Sequence, residues 1–181
     1  MYVDELIKCA KEEGFDHVSR LPLDALILNQ EVRNMCNADK CKNYGRNWSC
    51  PPAIGEFQEI QAAIDAFDTG VLVQSTGQME DSFDFEVIME TEALHKERFD
   101  RLVDTLREKG EEMFPMGAGT CTRCKKCSYP DEPCRQPDKM YPSMEALGLW
   151  ISDVCKRSGA EYNYGKDTIT YTSCVLIKET D

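Results

Sequence analysis

The chain has 181 residues, 41% hydrophobic and 30% charged, with a formal net charge of −12. That length can bury a substantial core without disulfides or metals, and the composition is that of a folded globular protein rather than a disordered one. The acidic balance argues against a nucleic-acid binder or an anionic-membrane surface binder, and no apolar run approaches the roughly 20 residues of a membrane span.

Residues 3–13 predict a short amphipathic helix, with Val3, Leu6, Ile7 and Ala10 on one face. The N-terminus shows no basic and apolar signal-peptide pattern, so a cytoplasmic location with reduced thiols is expected. A short strand follows near His17–Leu21, then Pro22 and a helix over 24–34. Residues 36–52 are rich in Asn, Gly and Pro and read as loop. A helix over 56–67 carries Phe57, Ile60, Ile64 and Phe67 at helical spacing, and Gly70 opens a strand through Val71–Gln74. A long helix is expected over 84–110, with Ile88, His95, Phe99, Leu102, Val103 and Leu106 as its stripe and Gly110 as its stop. A strand over 113–118 leads into a second loop, 121–137, containing Pro130, Pro133 and Pro137. Ser143 is placed to cap a helix over 144–157 ending at Gly159, and Thr168–Lys178 is a β-branched strand. The order implies a single α/β or α+β domain over 1–181. We expect a mixed sheet of about four strands, flanking helices and two cysteine-rich loops.

The unusual count is ten cysteines, seven of them in those two loops. In a reducing compartment this points to metal or redox chemistry rather than a disulfide scaffold. The later run, Cys121-x2-Cys124-x2-Cys127-x6-Cys134, gathers three thiols on one tight stretch. A [4Fe–4S] cube takes four thiolates, and its ferredoxin-type run is C-x2-C-x2-C with a more distant fourth cysteine. Zinc sites more often use two C-x2-C pairs across a longer gap. The spacing therefore favours a cluster, with zinc as the alternative. Cys134 is the natural fourth ligand by proximity, although in two-cluster ferredoxins the fourth cysteine of one run serves the other cluster.

The earlier run, Cys36-x4-Cys41-x8-Cys50, is less diagnostic, yet three cysteines beside Gly45 and Pro51-Pro52 read as a second metal loop. Its fourth position must come from elsewhere in the chain, from solvent or from substrate. Cys9, Cys155 and Cys174 read as small core or near-core residues. His17 and His95 read as structural. Asn47-Trp48-Ser49 matches a glycosylation acceptor and is read as chance. Gly117-x-Gly119 lacks the third glycine of a dinucleotide fingerprint and reads as a turn. Arg33, Lys40, Lys42 and Arg46 in the first loop region, and Arg123, Lys125, Lys126, Arg135 and Lys139 in the second, make basic islands on an acidic chain. Such cations suit an anionic cluster and an acidic redox partner.

The run Cys36, Cys41, Tyr44-Gly45, Trp48 and Cys50-Pro51-Pro52 resembles the first signature of a family of cysteine-rich predicted metal-binding proteins. That family, a domain of unknown function, is widespread in anaerobic bacteria and archaea. Cys121, Cys124, Cys127, Cys134-Arg135, Pro137, Pro142-Ser143-Met144-Glu145-Ala146 and Gly148 resemble its second signature. The resemblance marks the seven clustered cysteines as ligand candidates and does not choose between iron–sulfur and zinc. Two function classes follow. One is an iron–sulfur protein with one or two [4Fe–4S] clusters, acting in one-electron transfer or as a small redox enzyme with a redox-protein partner. The other is a zinc-bearing structural or interaction module without catalysis.

Overall fold

The computed structural model describes residues 1–81 and 84–179. Helix α1 (Val3–Glu12) buries Val3, Leu6 and Ala10, and strand β1 (His17–Leu21) follows. A 3₁₀ turn, Leu23–Ala25, precedes α2 (Gln30–Cys36), whose N-terminus is capped by the Asn29 side chain accepting from the Glu31 amide at 2.8 Å. Then come α3 (Phe57–Asp65), β2 (Thr69–Gln78) and α4 (Phe85–Glu108). The Asp84 side chain caps α4 by accepting from the Val87 amide. Strand β3 (Met113–Met116), helix α5 (Ile151–Arg157) and strand β4 (Thr168–Ile177) complete the order.

The four strands form one sheet in the order β1-β2-β4-β3. A mixed sheet was expected; all three strand pairings are antiparallel. The reason lies in the crossover. After β2 the chain crosses on α4 and returns as β3, parallel to β2 but one position away. The last strand, β4, fills the gap and runs antiparallel to both neighbours. The described residues thus make an α+β domain, and their one parallel pairing is an isolated bridge between Gly117 and Ser143.

Both faces of the sheet are covered, which is why the central strands are apolar on both sides. On one face Val71, Val73, Val175 and Ile177 pack under α1 and α4, against Leu6, Phe99, Leu102, Val103 and Leu106. On the other, Leu72, Cys174 and Leu176 meet Ile60 and Ile64 of α3, Val154 and Cys155 of α5, and Met144, Leu147 and Leu149. The cysteine loops leave this frame at the C-terminal ends of α2 and β3. No helix among the described residues is long and apolar enough to cross a membrane.

Candidate metal centre

Helix α2 ends on Cys36, so the first candidate ligand sits where the chain turns away. The turn needs left-handed backbone at Asp39 (φ 45°), Lys42 (φ 57°) and Gly45 (φ 63°). The Asp39 carboxylate steadies it by accepting from the Tyr44 amide at 2.9 Å, and the Gly45 amide donates to the Pro51 carbonyl at 2.9 Å. Cys50 is thereby drawn inside, while Cys41 stays exposed and Cys36 is half-buried.

The second loop leaves β3 through Gly117. A Cβ there would lie 2.4 Å from the Tyr141 ring, so only glycine lets the strand end pass this closely. Tyr141 in turn donates to Asp100 of α4 at 2.6 Å. Arg123, between Cys121 and Cys124, points back to the same helix and pairs with Asp100 (2.9 Å) and Asp104 (2.8 Å).

The two loops are stitched together, although 70 residues or more separate the paired positions. The Ser49 hydroxyl accepts from the Cys121 amide at 2.9 Å, and Asn47 donates its side-chain amide to the Cys121 carbonyl. The Trp48 indole donates to the Glu132 carbonyl and packs edge-on against Tyr129. The Cys50 thiol donates to the Thr120 hydroxyl at 3.5 Å. Asn47 also accepts from the amide and hydroxyl of Ser49, so this side chain is a structural brace between the cysteine loops.

Cys121, Cys124, Cys127 and Cys134 all line one recess, together with Asn47, Trp48, Gln136 and Met140. Two N–H donors point at its sulfurs: the Trp48 amide at Cys127 (3.5 Å) and the Gln136 side chain at Cys124 (3.4 Å). Cys36, Cys41 and Cys50 line a separate cavity of about 260 Å³ with Tyr44, Thr120 and Glu145. Cys50 lies within electrostatic reach of Cys41 in its own cavity and of Cys127 in the other. All ten cysteines are free thiols. Burial is the main cause that pushes the thiols of Cys36, Cys50 and Cys121 up. Thiolate ligation would therefore release protons there.

The donor set is chemically right for soft metal: four cysteines in one place and three in another, with N–H groups supplied to sulfur. The space is tighter. The four-cysteine recess encloses about 20 Å³, room for roughly one water, so a cube fits only with the 121–134 loop opened. Among the described residues no three Cys, His, Asp or Glu side chains converge closely enough to hold a single ion.

Cys155 and Cys174 are fully buried in the core, as their sequence context suggested, and Cys9 stands at the edge of α1 beside Lys109. His17 stacks on Tyr164, and His95 is buried between Ser75 and Ser173. The basic islands are partly neutralised: Arg123 by Asp100 and Asp104, Lys139 by Asp104, Arg46 by Asp39, and Arg135 by Glu132. Spacing alone did not single out Glu145, Gln136 or Asn47. Each reaches its site through tertiary contacts; Glu145 stood in the sequence only within the second signature, Asn47 only within the glycosylation-like triplet, and Gln136 in no pattern.

Two solved structures are similar over 98% of this chain, each at a TM-score of 0.43. One is epoxyqueuosine reductase from Bacillus subtilis, at 13% identity with 45% of that chain covered. The other is a selenomethionine-labelled epoxyqueuosine reductase, at 14% identity with 46% covered. The chain spans less than half the length of either, and a likeness at that level carries no conclusion about this protein. No curated protein matches. The family model described as predicted metal-binding protein (DUF2284) matches residues 19–177, and the chain belongs to that metal-binding family.

Proposed function

We propose that Cys121, Cys124, Cys127 and Cys134 hold a [4Fe–4S] cluster, that Cys36, Cys41 and Cys50 hold a second metal centre, and that the protein moves single electrons. The observation that carries this is the common recess of the four cysteines of the tight run, whose x2–x2 spacing suits a cube better than zinc. Such a cluster, when bound, accepts and returns one electron.

The chain's own residues are arranged for that task. The Trp48 amide and the Gln136 side chain donate to sulfur and so favour added negative charge. Trp48 and Met140 wall the recess with apolar surface. Cys50 beside Cys127 puts the two centres within electrostatic range of each other. Lys40, Lys42, Lys125 and Lys126 are exposed, and among the described residues they enter no ion pair. They are the cations left to meet an acidic redox partner.

Serine substitutions test the assignment on anaerobically purified protein. Cys124→Ser should remove the iron, sulfide and visible absorption of one centre, and Cys50→Ser those of the other. The double variant should be colourless. Full iron content and an unchanged spectrum in Cys124→Ser would overturn the reading.

A further inference from the structure

The cavity of the first cysteine loop offers three thiols around about 260 Å³; they do not converge on a single ion, so the centre they suit is a cluster, and a closed cluster takes a fourth protein donor. No fourth cysteine is available on its wall. Cys155 and Cys174 are sealed in the sheet core, and Cys9 lies on α1 beside Lys109. Cys127 lines the neighbouring recess instead. The carboxylate on the wall is Glu145.

Its placement is held by the fold. After Tyr141 the chain passes alongside the end of β3, where Gly117 and Ser143 form the parallel bridge and the Met144 amide donates to the Gly117 carbonyl at 3.0 Å. The Ser143 hydroxyl accepts from the Ala146 amide at 3.1 Å, and the Gly148 amide donates to the Glu145 carbonyl at 2.9 Å. Glu145 thus sits in a tight turn of fixed geometry. Ser143 and Gly119 line the same cavity wall as Glu145. Glu145 is an exposed residue that lines the cavity, and burial of its carboxyl group pushes its pKa up. The carboxylate is close enough to act electrostatically on Cys36.

We infer that Glu145 supplies the fourth, non-thiolate position of the centre held by Cys36, Cys41 and Cys50. The inference rests on the proposal that those three cysteines hold metal. An oxygen donor among three thiolates is the harder and more exchangeable ligand on a soft-metal site. It leaves one metal position that a small molecule entering the cavity of about 260 Å³ can claim. The four-cysteine centre has no such position. The division assigns electron storage to the 121–134 centre and ligand exchange to the 36–50 centre.

The test uses full-length protein loaded anaerobically with iron and sulfide. It compares wild type with Cys50→Ser, Glu145→Ala and Glu145→Cys. Iron and sulfide are counted per chain, and electron paramagnetic resonance is recorded after reduction. Circular dichroism checks that each variant is folded. Glu145→Ala should lose the same share of iron and the same resonance as Cys50→Ser, while keeping the other centre. Glu145→Cys should regain the iron with a shifted resonance, which a merely structural role would not produce. If Cys50→Ser removes a centre and Glu145→Ala retains both iron and the wild-type resonance, Glu145 is not a ligand and only this inference falls. If Cys50→Ser itself changes nothing, the metal reading of the first loop falls and the role of Glu145 with it.

Discussion

His95 is fully buried, and its two ring nitrogens meet Ser75 at 3.1 Å and Ser173 at 2.8 Å. The rings of Phe15 and Phe99 flank it. Burial, then the charges of Arg98 and Lys96, lower its pKa from 6.5 to about 3, against a smaller opposing effect of Asp16. The native imidazole is therefore neutral throughout the range where the unfolded one takes a proton. Between these two values the unfolded chain binds more protons, so stability is lost as pH falls through that window. The loss from neutral pH to about pH 5 should be about 2 kcal/mol from this residue. In urea titrations His95→Gln should be less stable than wild type at pH 7 but should lose less on acidification. Equal pH slopes for the two proteins would contradict the assignment. The helical stripe shared with Phe99 and Leu102 made the residue legible as core. Its partners were not legible, because the serines lie 20 and 78 residues away on β2 and β4.

Most elements were readable because their apolar periods are regular, as in α4, whose buried Phe99, Leu102, Val103 and Leu106 are those the stripe marked. Two helices came out shorter than the sequence implied. The helix expected over 24–34 is a 3₁₀ turn and then α2, because Leu28 bridges to Leu149 and Asn29 starts a new cap. The helix expected over 144–157 begins only at Ile151. Ser143 does accept from the Ala146 amide, but Gly148 adopts φ +92° against the Phe57 ring and ends the turn. Those contacts join distant segments, and local propensity cannot register them. The second cysteine loop depends on one such contact, the docking of Arg123 on Asp100 and Asp104 of α4. Arg123→Leu strips Asp100 of its cation and leaves Asp104 with only the longer pairs to Lys139 (3.7 Å) and Arg107 (3.8 Å). It should lower unfolding stability by about 2 kcal/mol, less than a fully buried pair because both acids keep contact with water. Wild-type stability in the variant, measured by denaturant unfolding of the reduced protein, would show that the pair anchors nothing.

At the scale of the molecule, an acidic chain folds into one antiparallel sheet whose ends carry two neighbouring cysteine sites. The seven cysteines were visible in the sequence because their spacing is local. Their partition into a four-thiol recess and a three-thiol cavity also follows chain order. The stitching of the loops through Asn47, Ser49 and Thr120 is a product of the fold. The same is true of the ion pairs that neutralise Arg46, Arg123, Arg135 and Lys139, so a count of basic residues overstated the positive field around the cysteines. The central claim is the iron–sulfur cluster on the 121–134 run, and metal analysis of the wild-type protein purified without oxygen tests it most directly. The account predicts a brown protein containing iron and acid-labile sulfide in equal amounts, bleached by a one-electron reductant. A colourless, folded protein with stoichiometric zinc and no iron would contradict it and identify a zinc-bearing module.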